Sequence, residues 1–151
     1  MTRVWVVFAL LFAVGTAEAQ PSAAESEIQS LLDRMTAAWN RGDAAGLASL
    51  VRKDITFTIL DGSVFEGRDV FERKNRGVLE GAFKGSTQVL KTRRVTFVRP
   101  DVALVDIDAS LSAGAASRPV HSSLLLVLER ERKDWKIAGF HNTLQRSLSP
   151  D

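Results

Sequence analysis

Apolar residues fall at Ile28, Leu31, Leu32, Met35 and Trp39, the spacing of a single helical face. Ser22 and Glu25 ahead of that stripe have the form of a capping box, and Gly42 stands where glycine favours the end of a helix. Asp43 is placed to cap a second, short helix carrying Leu47, Leu50 and Val51. From Asp54 the period changes to two. Ile55, Phe57 and Ile59 alternate with Thr56, Thr58 and Leu60, which predicts a strand. Asp61-Gly62 is a hairpin turn signal, with Ser63 to Glu66 as the returning strand. Gly67 breaks that strand. Asp69 is the predicted cap of a third helix bearing Val70, Phe71, Val78 and Leu79, and Gly81 and Gly85 bracket its exit.

Four longer strands follow, at Thr87–Arg99, Val102–Ala113, Val120–Arg130 and Trp135–Thr143. Pro100-Asp101, the small-residue loop GAASRP and the charged turn Glu131 to Asp134 separate them. Such short connections predict antiparallel neighbours. The order ααββαββββ, with helices on one face of a curved antiparallel sheet, is an α+β fold. Leu124 to Leu128 is apolar on both faces, which predicts a strand in mid-sheet covered on both sides. In the last strand a strict period of two puts Trp135, Ile137, Gly139 and His141 on one face. Lys136, Ala138, Phe140 and Asn142 fall on the other.

The 151 residues fit one domain. Arg3, the apolar run Val4 to Val14 and the small-x-small site Ala17-Glu18-Ala19 have the layout of a secretory signal peptide. The apolar run is too short to span a bilayer. The expected organisation is a signal peptide at 1–19 and a single domain at 20–151, with its core at about 25–145. The expected location is the periplasm or the medium. A net charge of +2 calls for neither nucleic acid nor an anionic membrane. The chain has no cysteine, hence no disulfide, thiolate nucleophile, thiolate metal ligand or lipoprotein anchor. It has no tyrosine, hence no phenol as acid or oxyanion donor.

The stretches AAWNRGDAAGLASLVRKDITFTILDG, FEGRD, VRPDVALVDID and LLLVLERERKDWKIAGFHNT together resemble the nuclear-transport-factor-like superfamily. Within it they are most similar to the SgcJ/EcaC-type group of SnoaL-like, ketosteroid-isomerase-like domains. Trp39-Asn40-x-Gly42-Asp43, Gly67-Arg68 and the terminal WKIA and HNT segments carry the resemblance, which covers nearly all of residues 20–151. It implies a cone: a strongly bent sheet over the helices, an apolar cavity at the open end, and dimerisation through the outer sheet face. It also implies where an isomerase would keep its base, hydroxyl donor and carboxylic acid. Those places hold Ile59, Met35 and Leu124 or Leu125, all apolar. The cavity is expected without that chemistry, and function does not follow from the fold.

Remaining candidates are few. His121 and His141 sit toward one end of a hairpin, and either imidazole can serve as an acid-base group. Trp39, Phe57, Phe65, His121, His141 and Asn142 are the expected pocket residues. Trp39 and Trp135 double as core anchors, and Phe57 and Phe65 divide evenly between core and pocket. Asp106 and Asp108 share a strand face but lack a dense ligand motif, so a solvated face is expected there and neither metal nor cofactor. The run KTRRVTFVR puts Arg94 opposite in face to Lys91 and Arg93. Phe97 alone is too little aromatic surface for single-stranded nucleic acid. Three readings stay open: a binding module for a small apolar or amphipathic molecule, a lyase-, isomerase- or cyclase-like enzyme using a histidine, and a homodimeric interaction module.

Overall fold

The computed structural model describes residues 22–112 and 118–145. The predicted signal segment lies outside them, as do Ala113 and most of the GAASRP loop. Three helices, α1 (Ala23–Asn40), α2 (Ala44–Ser49) and α3 (Arg68–Glu80), pack on one six-stranded sheet. The strands are β1 (Val51–Thr58), β2 (Val64–Glu66), β3 (Thr87–Arg99), β4 (Val102–Ser112), β5 (Val120–Glu131) and β6 (Asp134–Leu144). The sequence order is the predicted one. Spatially the sheet runs β2-β1-β6-β5-β4-β3. Every pairing is antiparallel except β1 with β6, which is parallel. That contact joins residues about 80 apart, beyond the reach of a hairpin rule.

Local chemistry accounts for most boundaries. Ser22 and Glu25 form the capping box in both directions. The Ser22 amide and hydroxyl hold the Glu25 carboxyl below its ordinary range. Gly42 follows α1 at φ +69°, where a side chain would be strained. Asp43 caps α2 by accepting from the Gly46 N–H at 2.7 Å. β1 begins at Val51, three residues before the change of period, because Val51 leaves the helix stripe to ladder against Ile137. The cap of α3 also differs from expectation. Its N-cap is Gly67 at φ +91°, without a side-chain cap bond, and Asp69 lies inside the first turn. Arg68 instead donates from Nε and Nη2 to the Val51 carbonyl, at 3.1 and 2.8 Å, tying the helix start to β1.

The core lies between the helices and the inner sheet face. Ile28, Leu31, Leu32 and Met35 of α1 are buried there, against Val105, Ile107, Leu124, Leu126 and Leu128 of β4 and β5. The two turns that bound β5 define a narrow end, at Glu131–Asp134, and a wide end, where β3 and β5 begin and β1, β4 and β6 finish.

A register shift between Val127 and Leu128 interrupts the β5–β6 ladder. It corrects the predicted faces of β6. Trp135 and Ile137 lie across from Arg130 and Leu128. Beyond the shift, Phe140 pairs with buried Leu126 and Asn142 with buried Leu124. Phe140 and Asn142 therefore face inward with Ile137, while Gly139 and His141 turn outward. One extra residue in a strand reverses the parity of all that follow. A second shift, between Thr92 and Arg94, does the same on β3. Lys91 pairs with Asp108 and Arg94 with Asp106, so these two basic residues share the outer face rather than opposing each other.

Gly139 sits at the β6 shift with no room to spare. A Cβ there would lie 3.1 Å from Val127 Cγ2 and 3.3 Å from Val127 Cβ. Gly139→Ala is expected to destabilise the fold by about 1–3 kcal/mol, and Val127→Ala to restore much of the loss in the double variant. Additive single-variant losses in denaturant titrations would show that the two side chains do not meet.

Candidate functional site

Strand alternation decides what each end of the molecule offers. On β4 and β5 the inward positions Ala103, Val105, Ile107, Ala109, Leu111, Ser122, Leu124, Leu126 and Leu128 are all buried. Toward the wide end the inward-facing residues become only half-buried: Ile59, Phe65, Val78, Phe83, Val120 and Phe140. These apolar side chains point into the fold and pack against the core, yet keep contact with solvent. Four aromatics pack together there. Phe57 packs on Phe65 at 5.4 Å between ring centroids and edge-on to Phe71 at 5.1 Å. Phe71 meets Phe140 at 5.9 Å. Lys74 Nζ lies 4.2 Å from the Phe65 ring centroid, on the rim.

The polar groups on this inner surface are neutral. Among the described residues the buried polar side chains are Ser86, Gln88 and Ser122, and none is ionisable. Among the described residues Gln88 Oε1 and Asn142 Oδ1 are buried without a hydrogen-bond partner, as is Arg130 Nε at the narrow end. Buried amide oxygens are nearly always satisfied, so these two stand out. Gln88 was not among the residues the sequence nominated. Its strand lies at the edge of the sheet, pairing Gln88 with buried Leu111, and Asn40 of α1 holds its backbone.

The nominated pocket residues are divided by the structure. Phe57 is 1% exposed and belongs to the core, as do Trp39 and Trp135. The Trp39 indole Nε1 donates to Ser86 Oγ at 3.0 Å, and its ring meets Phe83 edge-on at 6.4 Å. Phe65 and Asn142 are half-buried at the wide end. His121 and His141 are not: both are exposed on the outer sheet face. His121 ladders with Ser110, and His141 ladders with Leu125. The two imidazoles are also not neighbours, since four residues of β5 separate these positions, roughly 13 Å of strand. His141 Nδ1 lies 3.0 Å from Thr58 Oγ1. The register shift in β6 is the reason for the outward turn, and it removes His141 from the expected cavity.

Asp106 and Asp108 also lie on the outer face. Arg94 donates to Asp106 Oδ2 from Nη2 at 2.8 Å, and Arg93 Nε is 3.5 Å from Asp108. Gln145 Nε2 donates to Asp108 Oδ1 and Ser123 Oγ, both at 2.9 Å. Among the described residues no three histidine or carboxylate groups gather as metal ligands. Nor is any described helix long and apolar enough to cross a membrane.

The motif residues singled out in the sequence hold the fold. Asn40 clasps the backbone of Gln88, accepting its N–H at 2.7 Å and donating to its carbonyl at 3.3 Å. Trp135 Nε1 donates to Glu27 Oε2 at 3.1 Å, beside an Arg130–Glu27 ion pair at the narrow end. The Ile137 N–H donates to the Leu50 carbonyl at 3.0 Å.

A bent sheet folded over three helices, with half-buried apolar side chains at its wide end, defines a cone-shaped α+β domain of the nuclear-transport-factor-like kind. The chain belongs to the SnoaL-like domain family, whose model matches residues 28–144. Solved structures agree on the fold. A domain of unknown function with a cystatin-like fold from Nostoc punctiforme is 24% identical, with a TM-score of 0.77 over 85% of this chain and 82% of that one. LinA is 20% identical, with a TM-score of 0.74 over 82% of this chain and 87% of its own. A protein described as a putative scytalone dehydratase, from Novosphingobium aromaticivorans, is 14% identical, with a TM-score of 0.68 over 80% and 83%. No curated protein matches the sequence.

Proposed function

We propose that this SnoaL-like domain is an exported binding module that holds a small, uncharged, apolar or amphipathic molecule at the wide end of the cone. The observation that carries the reading is an inward surface that stays apolar up to a half-exposed rim, with no ionisable side chain buried among the described residues. A site of that composition gains free energy by removing apolar area from water. It offers no buried proton donor or acceptor of tunable charge. Naphthalene, a neutral apolar probe, is expected to raise the melting temperature. Ligand at a hundred times its Kd adds about 2.7 kcal/mol to stability. An unchanged melting curve at saturating naphthalene would count against the reading.

Export rests on Arg3, the apolar run Val4 to Val14 and Ala17-Glu18-Ala19. N-terminal sequencing of the mature protein is expected to begin at Gln20. An intact Met1 would remove export from the proposal.

A second reading, pairing with another copy through the outer sheet face, has its own support. Leu125 is 37% exposed on that face, and the ladder partners Leu104 and Val127 lie half-buried beside it toward the narrow end. The two functions are compatible, because they use opposite faces of one sheet. An enzymatic role is the alternative that the neighbour described as a putative scytalone dehydratase suggests. It would use His121 or His141, the latter 3.0 Å from Thr58 Oγ1, and both imidazoles lie on the outer face, away from the apolar rim.

A further inference from the structure

We infer that Gln88, together with Asn142, selects ligands that carry a hydrogen-bond donor, a hydroxyl or an amide N–H, on an uncharged apolar body. The inference rests on the proposed reading of the wide end as a ligand site and names the chemistry it would accept.

Gln88 is 6% exposed, and its Oε1 has no partner. The residue is not needed as glue. Its backbone N–H and carbonyl are both taken by the Asn40 side chain. Its ladder neighbour Leu111 is buried, and Val120 next along is half-buried, so the amide is set among apolar groups at the wide end. Asn142 repeats the situation three strands away. Leu124 is its ladder partner, and its Oδ1 is buried and unpartnered. Two carboxamides are thus held on one inner surface, each with an acceptor that no described residue satisfies.

The chemistry of what would satisfy them is restricted. An amide oxygen accepts and cannot donate. Lys74 stands out on the rim, over the Phe65 ring, but no lysine, arginine or histidine is buried among the described residues, so a carboxylate or phosphate seated against the two amides would lose its hydration without a buried counter-charge. An acidic ligand is therefore disfavoured, as is a pure hydrocarbon relative to its hydroxylated counterpart. A flipped amide would present N–H and favour acceptors, so tighter binding of an acceptor-only ligand than of a donor would overturn the inference.

Three probes of similar shape separate these cases by titration calorimetry on the purified protein. Naphthalene has neither function, 2-methoxynaphthalene only accepts, and 2-naphthol donates. The expected result is that 2-naphthol binds about tenfold more tightly than 2-methoxynaphthalene, the worth of one hydrogen bond. Gln88→Met, near in length and apolar, is expected to shrink that gap while leaving naphthalene binding in place. It should also raise the melting temperature of the free protein, by removing an orphaned polar atom. Asn142→Leu provides a second variant with the same readout. Equal affinities for 2-naphthol and 2-methoxynaphthalene, or a gap that survives both substitutions, would overturn the inference and leave the binding reading standing. Failure of naphthalene itself to bind would remove both.

Discussion

Leu126→Asp is expected to leave no folded protein, whereas Leu125→Asp, one residue away, leaves a folded chain. Leu126 is 0% exposed and sits between Val105 and Phe140 in the sheet, facing the helices. A carboxylate there loses its hydration and finds no cation. The cost is more than about 4 kcal/mol, a large part of the roughly 5–15 kcal/mol that stabilises a domain of this size. Leu125 faces outward and is 37% exposed, so an aspartate at that position stays solvated. Its effect is expected on association. Under the proposed pairing through the outer face, wild type runs as a dimer in light scattering. Leu125→Asp then runs as a monomer with an unchanged circular dichroism spectrum. A monomeric wild type would dispose of the pairing, and a folded Leu126→Asp variant would mean that the inward face has been misplaced.

Phe57→Ala carries the next largest effect, about 3–5 kcal/mol. Phe57 is 1% exposed and is the ring on which Phe65 and Phe71 both pack. It also aligns with Phe140 across the parallel β1–β6 ladder. Removing it opens a cavity under the rim of the proposed site, so two losses are expected together: a lower unfolding midpoint in urea and weaker binding of naphthalene. Phe65→Ala, on the half-exposed ring above it, is expected to weaken binding with a smaller loss of stability. Equal destabilisation by the two substitutions would place Phe65 in the core rather than at the rim of the proposed site.

The outer face shows how much one register shift decides. Asp106 and Asp108 were expected on a solvated outer face; they lie on the outer face, half-buried and paired with Arg94 and Arg93, because they alternate with buried Val105 and Ile107 without interruption. The same counting misplaced His141, because β6 contains an extra residue relative to β5 between Ile137 and Gly139. It misplaced Arg94 for the same reason. Polar–apolar alternation contains no mark for a bulge. Gly139, with Val127 pressed against its Cα, was the nearest thing to a signal, and it is legible only once the partner strand is known.

Amphipathic periods, capping residues and turn glycines by themselves determined the three helices, the six strands and their order, because each depends on neighbours within a few residues along the chain. The resemblance of the WNRGD, GRD and terminal WKIA segments sufficed for the family. Tertiary structure alone decided the parallel junction of β1 with β6 and the burial of Gln88. It likewise decided the outward turn of both histidines and the two amide oxygens left without partners. Those features arise where residues distant in sequence compete for one surface, and packing, rather than local preference, settles the outcome.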